Sequence, residues 1–383
     1  MAAQDGRPGT AENMAENRGS GGMGELDLSA VYHTNHQIIE AGYDALPQDV
    51  WDYICGGAET ETTLARNRQA LDCLAFRPRA LRDVGEIDPS TTFLGTKLRI
   101  PVMLAPMGNL TRITPTAALA PDDAAARFGT INFVSTTTPP ELEVTGANSP
   151  HHKCFQIYMR GDNAWLRNLL KRVKAAGYQS VALTVDSAYY GNRERLNAYQ
   201  LAHNKVTERY WQARVTWDHV KLIQDELGGI PFMLKGIQVA EDAALAVEHK
   251  VDVVYISNHG GRQIDHGLGA IDTLPEIVAA VAGKARIVID GGFTRGTDVL
   301  KAIALGADAV AIGRLQAWAM GAFGADGIVR ALEILEREIV ITMGLLGVTK
   351  LAELDPSYVA RTIPVTAAHE MSAFPHVRSG RLK

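Results

Sequence analysis

The chain has 383 residues, with Lys+Arg 38 against Asp+Glu 43, a net charge of −5 and no basic stripe, which argues against a nucleic-acid surface. A hydrophobic fraction of 46% is that of an ordinary globular protein, and no apolar run approaches a membrane span. Cys55, Cys73 and Cys154 are odd in number and lack metal-ligand spacing, so they read as free thiols in a reducing compartment, with the cytoplasm as the default address.

In chain order, residues 1–25 hold no Leu, Ile, Val or aromatic residue. Burial there cannot offset ordering entropy, and a disordered tail is expected. Residues 27–74 pattern as short helices, one over 49–54 ended by Gly56-Gly57. From Pro101 short apolar, β-branched runs alternate with amphipathic helical stretches. The runs are 101–105, 131–135, 154–158, 180–185, 232–235, 253–257, 286–289 and 309–312. Strand–helix alternation argues for a parallel sheet, and eight units argue for a closed (β/α)8 TIM barrel of the α/β class. It spans 26–364, with an N-terminal helical extension and a C-terminal helix expected over 324–344. An irregular tail, 365–383, carries His369, His376, Arg378, Arg381 and Lys383, and either wraps a neighbouring subunit or is mobile.

In such a barrel chemistry gathers at the C-terminal strand ends. Those ends offer Ser135, Gln156 with Tyr158, Thr184 with Asp186, Lys235, Ser257 running into Asn258-His259-Gly260-Gly261-Arg262, Asp290-Gly291-Gly292, and Gly313-Arg314. The last two glycine clusters, on adjacent strands, fit a phosphate site that backbone N–H groups approach closely. His259 lies in a loop, where it can accept a substrate proton while Asp186 holds its tautomer. Arg193 and Arg262 can each grip a carboxylate bidentately.

These residues carry a likeness. Over about 46–354 the chain resembles the FMN-dependent 2-hydroxy acid dehydrogenase/oxidase family, which includes glycolate oxidase, lactate oxidase and lactate monooxygenase. The matching stretches are VWDYICGGAETE, FRPRAL, PVMLAP, CFQIY, ALTVDS, LKGI, ISNHGGRQID and DGGFTRGTDVLKAIALGADAVAIGR. The resemblance implies an FMN cofactor, an (S)-2-hydroxy acid substrate, O2 or another oxidant as acceptor, and a homo-oligomer, a tetramer by analogy.

The resemblance also implies roles. His259 takes the 2-hydroxyl proton as hydride leaves for flavin N5; a carbon-proton-first order uses the same residues. Asp186 stabilises the imidazolium. Arg193 and Arg262 bind the carboxylate, with Tyr53 and Tyr158 at the carboxylate and hydroxyl end. Lys235 stabilises the reduced ring; Ser135, Gln156 and Thr184 hydrogen-bond it; Pro106, Met107 and Gly108 lie on its other face. Ser257 belongs to the same shell. Asp290, Gly291, Gly292, Thr294, Gly313 and Arg314 hold the ribityl and phosphate.

The chain departs from the family pattern at several points. Thr294 replaces an Arg after DGG, with Arg295 next, which removes a charge from the phosphate site. Thr137 replaces an aromatic residue two past Ser135 and opens space over the substrate. Thr114-Pro115-Thr116-Ala117-Ala118 lacks the usual Glu. About two dozen residues separate Arg193 from Trp217, a short lid that argues for a substrate bulkier than glycolate. Gly108 replaces an Ala beside flavin N5, which argues for slow reaction with O2. An oxidative decarboxylase and a biosynthetic tailoring oxidase are the alternatives. An inert ligand-binding barrel is argued against by the intact polar set.

Overall fold

A computed structural model describes residues 27–197 and 210–377. The disorder expected for 1–25, the middle of the short lid, and Arg378, Arg381 and Lys383 fall outside the described residues.

Among the described residues a short helical turn at Leu28–Val31 and three longer helices precede the barrel: α1 (Asn35–Ala45), α2 (Gln48–Cys55) and α3 (Thr62–Asp72). The barrel strands are β1 (Val102–Leu104), β2 (Asn132–Ser135), β3 (Lys153–Ile157), β4 (Ser180–Thr184), β5 (Phe232–Ile237), β6 (Val253–Ile256), β7 (Arg286–Ile289) and β8 (Ala309–Ile312). Each pairs in parallel with the next, and β8 returns to β1, closing an eight-stranded barrel. A helix follows each strand in turn: α4 (Leu119–Phe128), α5 (Leu142–Asn148), α6 (Asn163–Ala175), α7 (Trp217–Leu227), α8 (Ala240–Glu248), α9 (Ala270–Val281), α10 (Gly296–Ala304) and α11 (Arg314–Leu346). The strands are short and buried on both faces, which is why they read as apolar runs without alternation.

The two strand faces feed two cores. Val134, Phe155, Leu183, Leu234, Ile256 and Ile289 point outward and pack against the helices. Phe133, Cys154, Ala182, Met233, Tyr255 and Val288 point inward and fill the barrel. A hairpin of Thr91–Phe93 and Thr96–Leu98 adds Phe93 and Leu98 to the inner cluster and so stoppers the bottom. Helix α1 packs along α11 closely: a Cβ on Gly42 would lie 2.5 Å from the Trp318 carbonyl oxygen.

The helix expected over 324–344 is present, and a further helical stretch, beginning at Arg314, runs into it; the two meet at a kink where Phe323 and Gly324 leave helical geometry (φ −144° and +60°). The added stretch places a helix N-terminus directly after β8, at Gly313-Arg314. The tail 365–377 forms no regular element, yet it buries Met371 and Phe374 against this same chain. No helix among the described residues is long and apolar enough to cross a membrane.

Candidate active site

Strand parity builds the floor. Ser135, Gln156, Thr184, Lys235, Ser257 and Asp290 share the inward register of the apolar filling and follow it at the C-terminal end of β2–β7. All six are buried, so each needs a partner. Ser135 Oγ donates to Gln156 Oε1 (2.7 Å), and Gln156 Nε2 donates to Thr184 Oγ1 (2.8 Å). Lys235 Nζ donates to Ser257 Oγ (2.8 Å) and lies 3.3 Å from Asp290 Oδ2; Ser257 Oγ donates to Asp290 Oδ1 (2.6 Å).

His259 stands over this floor in a left-handed conformation (φ +58°), its backbone N–H held by Ser257 Oγ (3.0 Å). Its Nδ1 is 2.9 Å from Asp186 Oδ1. An ionised carboxylate only accepts, so Nδ1 carries the proton and Nε2 is left basic, 3.4 Å from the Tyr158 hydroxyl. Burial lowers the His259 pKa below the ordinary histidine value, and Asp186 opposes that. Burial alone would raise the Asp186 carboxyl, but His259 and Lys235 outweigh it and leave the group ionised. Asp186 fits only because β5 bulges at Gly236. A Cβ there would come within 2.8 Å of the Asp186 carboxyl carbon, and φ is +112°.

Two guanidinium groups share one anchor. Arg262 Nη1 donates to the carbonyls of Gly56 (2.8 Å) and Ile54 (3.3 Å) just past α2. Arg314 reaches the same two carbonyls at 3.2 and 3.1 Å. Arg193 Nε donates to the Arg262 carbonyl (3.2 Å). Burial, and then Arg193, lower the Arg262 pKa to about 9, a cation in want of an anion. The Tyr53 ring lies 5.1 Å from the Arg262 guanidinium, and its hydroxyl donates to the Gly108 carbonyl (3.0 Å).

These groups line one open-mouthed cleft at the C-terminal rim of the barrel. Tyr53, Tyr158, Arg193, Lys235, His259 and Arg262 form one part of the lining; Pro106, Met107, Gly108 and Thr137 form a wall; Asp290–Thr294, Gly313 and Arg314 form the far end. Asp186, Ser135, Gln156, Thr184 and Ser257 stand behind that surface.

The far end suits a phosphate. Gly291 and Gly292 have φ of +110° and +88°, and the space beside the Gly313 Cα is open. Arg314 opens α11, whose first N–H groups have no intrahelical partner. Thr294 Oγ1 is buried without a partner, as expected of a hydroxyl waiting for an acceptor. Arg295 does not replace the missing family arginine: it turns away to Glu338 (2.8 Å) and over the Phe374 ring (5.4 Å). The residues thus fit FMN, with one fewer charge on its phosphate than the family pattern has.

A Cβ on Gly108 would lie 2.5 Å from Thr137 Oγ1. The neighbouring hydroxyl already fills that volume and is held 3.0 Å from Ser135 Oγ.

Several contributors were not legible from strand ends. Asn67 and Arg68 come from α3: Asn67 exchanges hydrogen bonds with Asn258 (3.0 and 2.7 Å), and Arg68 pairs with Asp298 (2.7 Å) while lining the far end. Gln212, just past the undescribed lid residues, donates to the Thr184 carbonyl (2.8 Å) and accepts from the Met159 N–H (2.7 Å). The signal for Asn67 was its place in an exposed-looking helix that turns out buried; Gly236 and Gln212 gave none.

The FMN-dependent dehydrogenase family model matches residues 43–361. The chain is 37% identical to L-lactate oxidase of Nostoc sp. over 343 residues, covering 82% of this chain and 94% of the relative. It is 35% identical to glycolate oxidase of Spinacia oleracea over 340 residues, covering 82% and 92%. Among solved structures, mandelate oxidase with benzoyl-formic acid superposes with a TM-score of 0.81 at 33% identity, covering 88% of this chain and 100% of that one. With the barrel, the dyad and the phosphate cradle in place, the chain belongs to the FMN-dependent dehydrogenase family and is an FMN-dependent oxidoreductase of 2-hydroxy acids.

Proposed function

We propose that His259 is the base of this oxidation, and the observation that carries the reading is the Asp186–His259 pair, with Nε2 turned to a cleft flanked by Arg193 and Arg262. The substrate carboxylate is gripped by the two guanidinium groups, with Tyr53 beside it. The 2-hydroxyl lies between Tyr158 and His259 Nε2. His259 takes the hydroxyl proton, the carbon–oxygen double bond forms, and the imidazolium is held by Asp186. When bound, FMN supplies the two-electron acceptor that takes the 2-hydrogen with its electron pair. Lys235 supplies fixed positive charge beside the electron-rich ring, Ser135, Gln156 and Thr184 supply its hydrogen bonds, and Gly291, Gly292, Thr294, Gly313 and Arg314 hold the phosphate.

Thr137 and the half-exposed Tyr190 on the rim support a substrate bulkier than glycolate. The relatives named oxidases support O2 as the final acceptor. Three unpaired cysteines support the cytoplasm. The test is anaerobic mixing with a panel of (S)-2-hydroxy acids while the flavin band is watched. H259A should abolish bleaching and keep the yellow cofactor; bleaching at an undiminished rate would remove His259 from the role.

A further inference from the structure

Loop 54–61 holds both ligand-facing guanidinium groups through the carbonyls of Ile54 and Gly56, yet it has no regular structure of its own past Cys55. Tertiary contacts fix it instead. Ala58 N–H donates to the Gly261 carbonyl (2.9 Å), and Gly57 N–H to Glu61 Oε1 (2.9 Å). Arg195 then closes over it. Its Nη2 is 2.5 Å from Glu61 Oε2, Nη1 is 4.0 Å from Asp52 Oδ1, and its Cδ lies 3.4 Å from where a Gly56 Cβ would be.

The second close carboxylate on Arg195 arrives from the other end of the chain. Glu370 Oε1 accepts from Nη2 at 3.1 Å, its side chain only 8% exposed and lining the cleft. Met371 and Phe374 anchor the segment, Phe374 against Trp318 and under Arg295. Hydrophobic anchoring does not require a carboxylate, and burying one costs free energy unless it is paired. Glu370 therefore has a task that Met371 and Phe374 do not perform.

We propose that Glu370 is a positioning residue: through Arg195 it fixes loop 54–61, and with it the orientation of Arg262 and Arg314, so that seating of the C-terminal segment sets affinity for both substrate and cofactor. The inference rests on Arg262 meeting the substrate carboxylate and Arg314 the phosphate.

The test uses the full-length holoenzyme. E370A should raise the FMN dissociation constant, read by fluorescence on dilution, and the KM for the best 2-hydroxy acid by about tenfold each, the size of one weakened charge-assisted hydrogen bond. The kcat should stay within about twofold, because the dyad is untouched. E370D should recover part of the loss, and E370Q should add nothing in an R195Q background. A folded E370A with Kd and KM unchanged, or E370Q and R195Q effects that simply add, overturns the proposal. E370Q keeps the side-chain volume and carries the same comparison if E370A does not fold. R314M and R262M are run alongside: if R314M leaves FMN affinity unchanged and R262M leaves KM unchanged, the underlying assignment fails; if both rise and the Glu370 variants do not, only the present inference fails.

Discussion

Replacing Gly108 by alanine would push a methyl group into a hydroxyl that is already there. The new Cβ would stand 2.5 Å from Thr137 Oγ1, about 1 Å inside ordinary carbon–oxygen contact. The alternative to shifting the backbone of this wall is rotation of Thr137, which gives up its 3.0 Å contact with Ser135 Oγ. Overpacking of this kind costs about 1–3 kcal/mol, of which the lost hydrogen bond contributes about 1. The T137A change removes the obstacle, so G108A should cost about 0.5 kcal/mol or less in that background, a coupling of 1–2 kcal/mol. Denaturant midpoints of four holoproteins (wild type, both single variants and the double) measure it, with FMN affinity as a second axis. Equal costs of G108A in both backgrounds would refute the idea that the two side chains contend for one volume.

The pH profile of kcat/KM should rise through a His259 pKa below the ordinary value, since the neutral imidazole is the active form. D186N removes the charge that opposes burial, so it should move this limb to lower pH and reduce kcat by about 10²–10⁴; pH–rate profiles check both, and a limb that moves upward would contradict the dyad. T294A should weaken FMN binding about tenfold or more, the loss of one hydrogen bond to a charged phosphate, as fluorescence titration would show. At the far end of the barrel His152, between Thr96 Oγ1 (2.7 Å) and Ser180 Oγ (2.9 Å), is pushed down to about 4 by burial and then by His151. The unfolded chain takes that proton near 6.5, so the stability it contributes is full above pH 6.5 and is lost towards pH 4, about 3 kcal/mol at most; unfolding of H152Q should show a flatter pH dependence over that window.

The strands were legible because both of their faces are buried: runs such as 180–185 and 253–257 hold no solvent-facing side, so their apolar character is unbroken. The floor was legible for a related reason, since a polar residue that ends such a run has nowhere to point but the rim. What sequence hid depends on contacts between elements. That Thr137 crowds Gly108 could not be read, because the two come from different loops of the barrel rim. Gly236 looked like one more residue of β5, yet its left-handed backbone gives Asp186 its room. The helical stretch from Arg314 to the kink at Phe323 and Gly324 was not read, and with it went the link between β8 and a helix N-terminus. The tail offered only composition, whereas Glu370, Met371 and Phe374 are functional or anchored by what they meet in space.

The charges of the cleft do not balance without ligands, and the imbalance has a shape. Lys235 is answered by Asp290, and His259 by Asp186. Arg68 is answered by Asp72 and Asp298. Arg262 and Arg314 instead rest on the neutral carbonyls of Ile54 and Gly56, with no carboxylate paired to either among the described residues. A buried cation left on carbonyls is a standing cost that an anion relieves. Arg193, which donates to the Arg262 carbonyl, is likewise paired to no carboxylate among the described residues. On the proposed assignment a cofactor phosphate at the α11 N-terminus answers Arg314, and a substrate carboxylate answers Arg193 and Arg262. On that assignment a substrate lacking its carboxylate should lose binding at Arg262 while leaving FMN affinity intact.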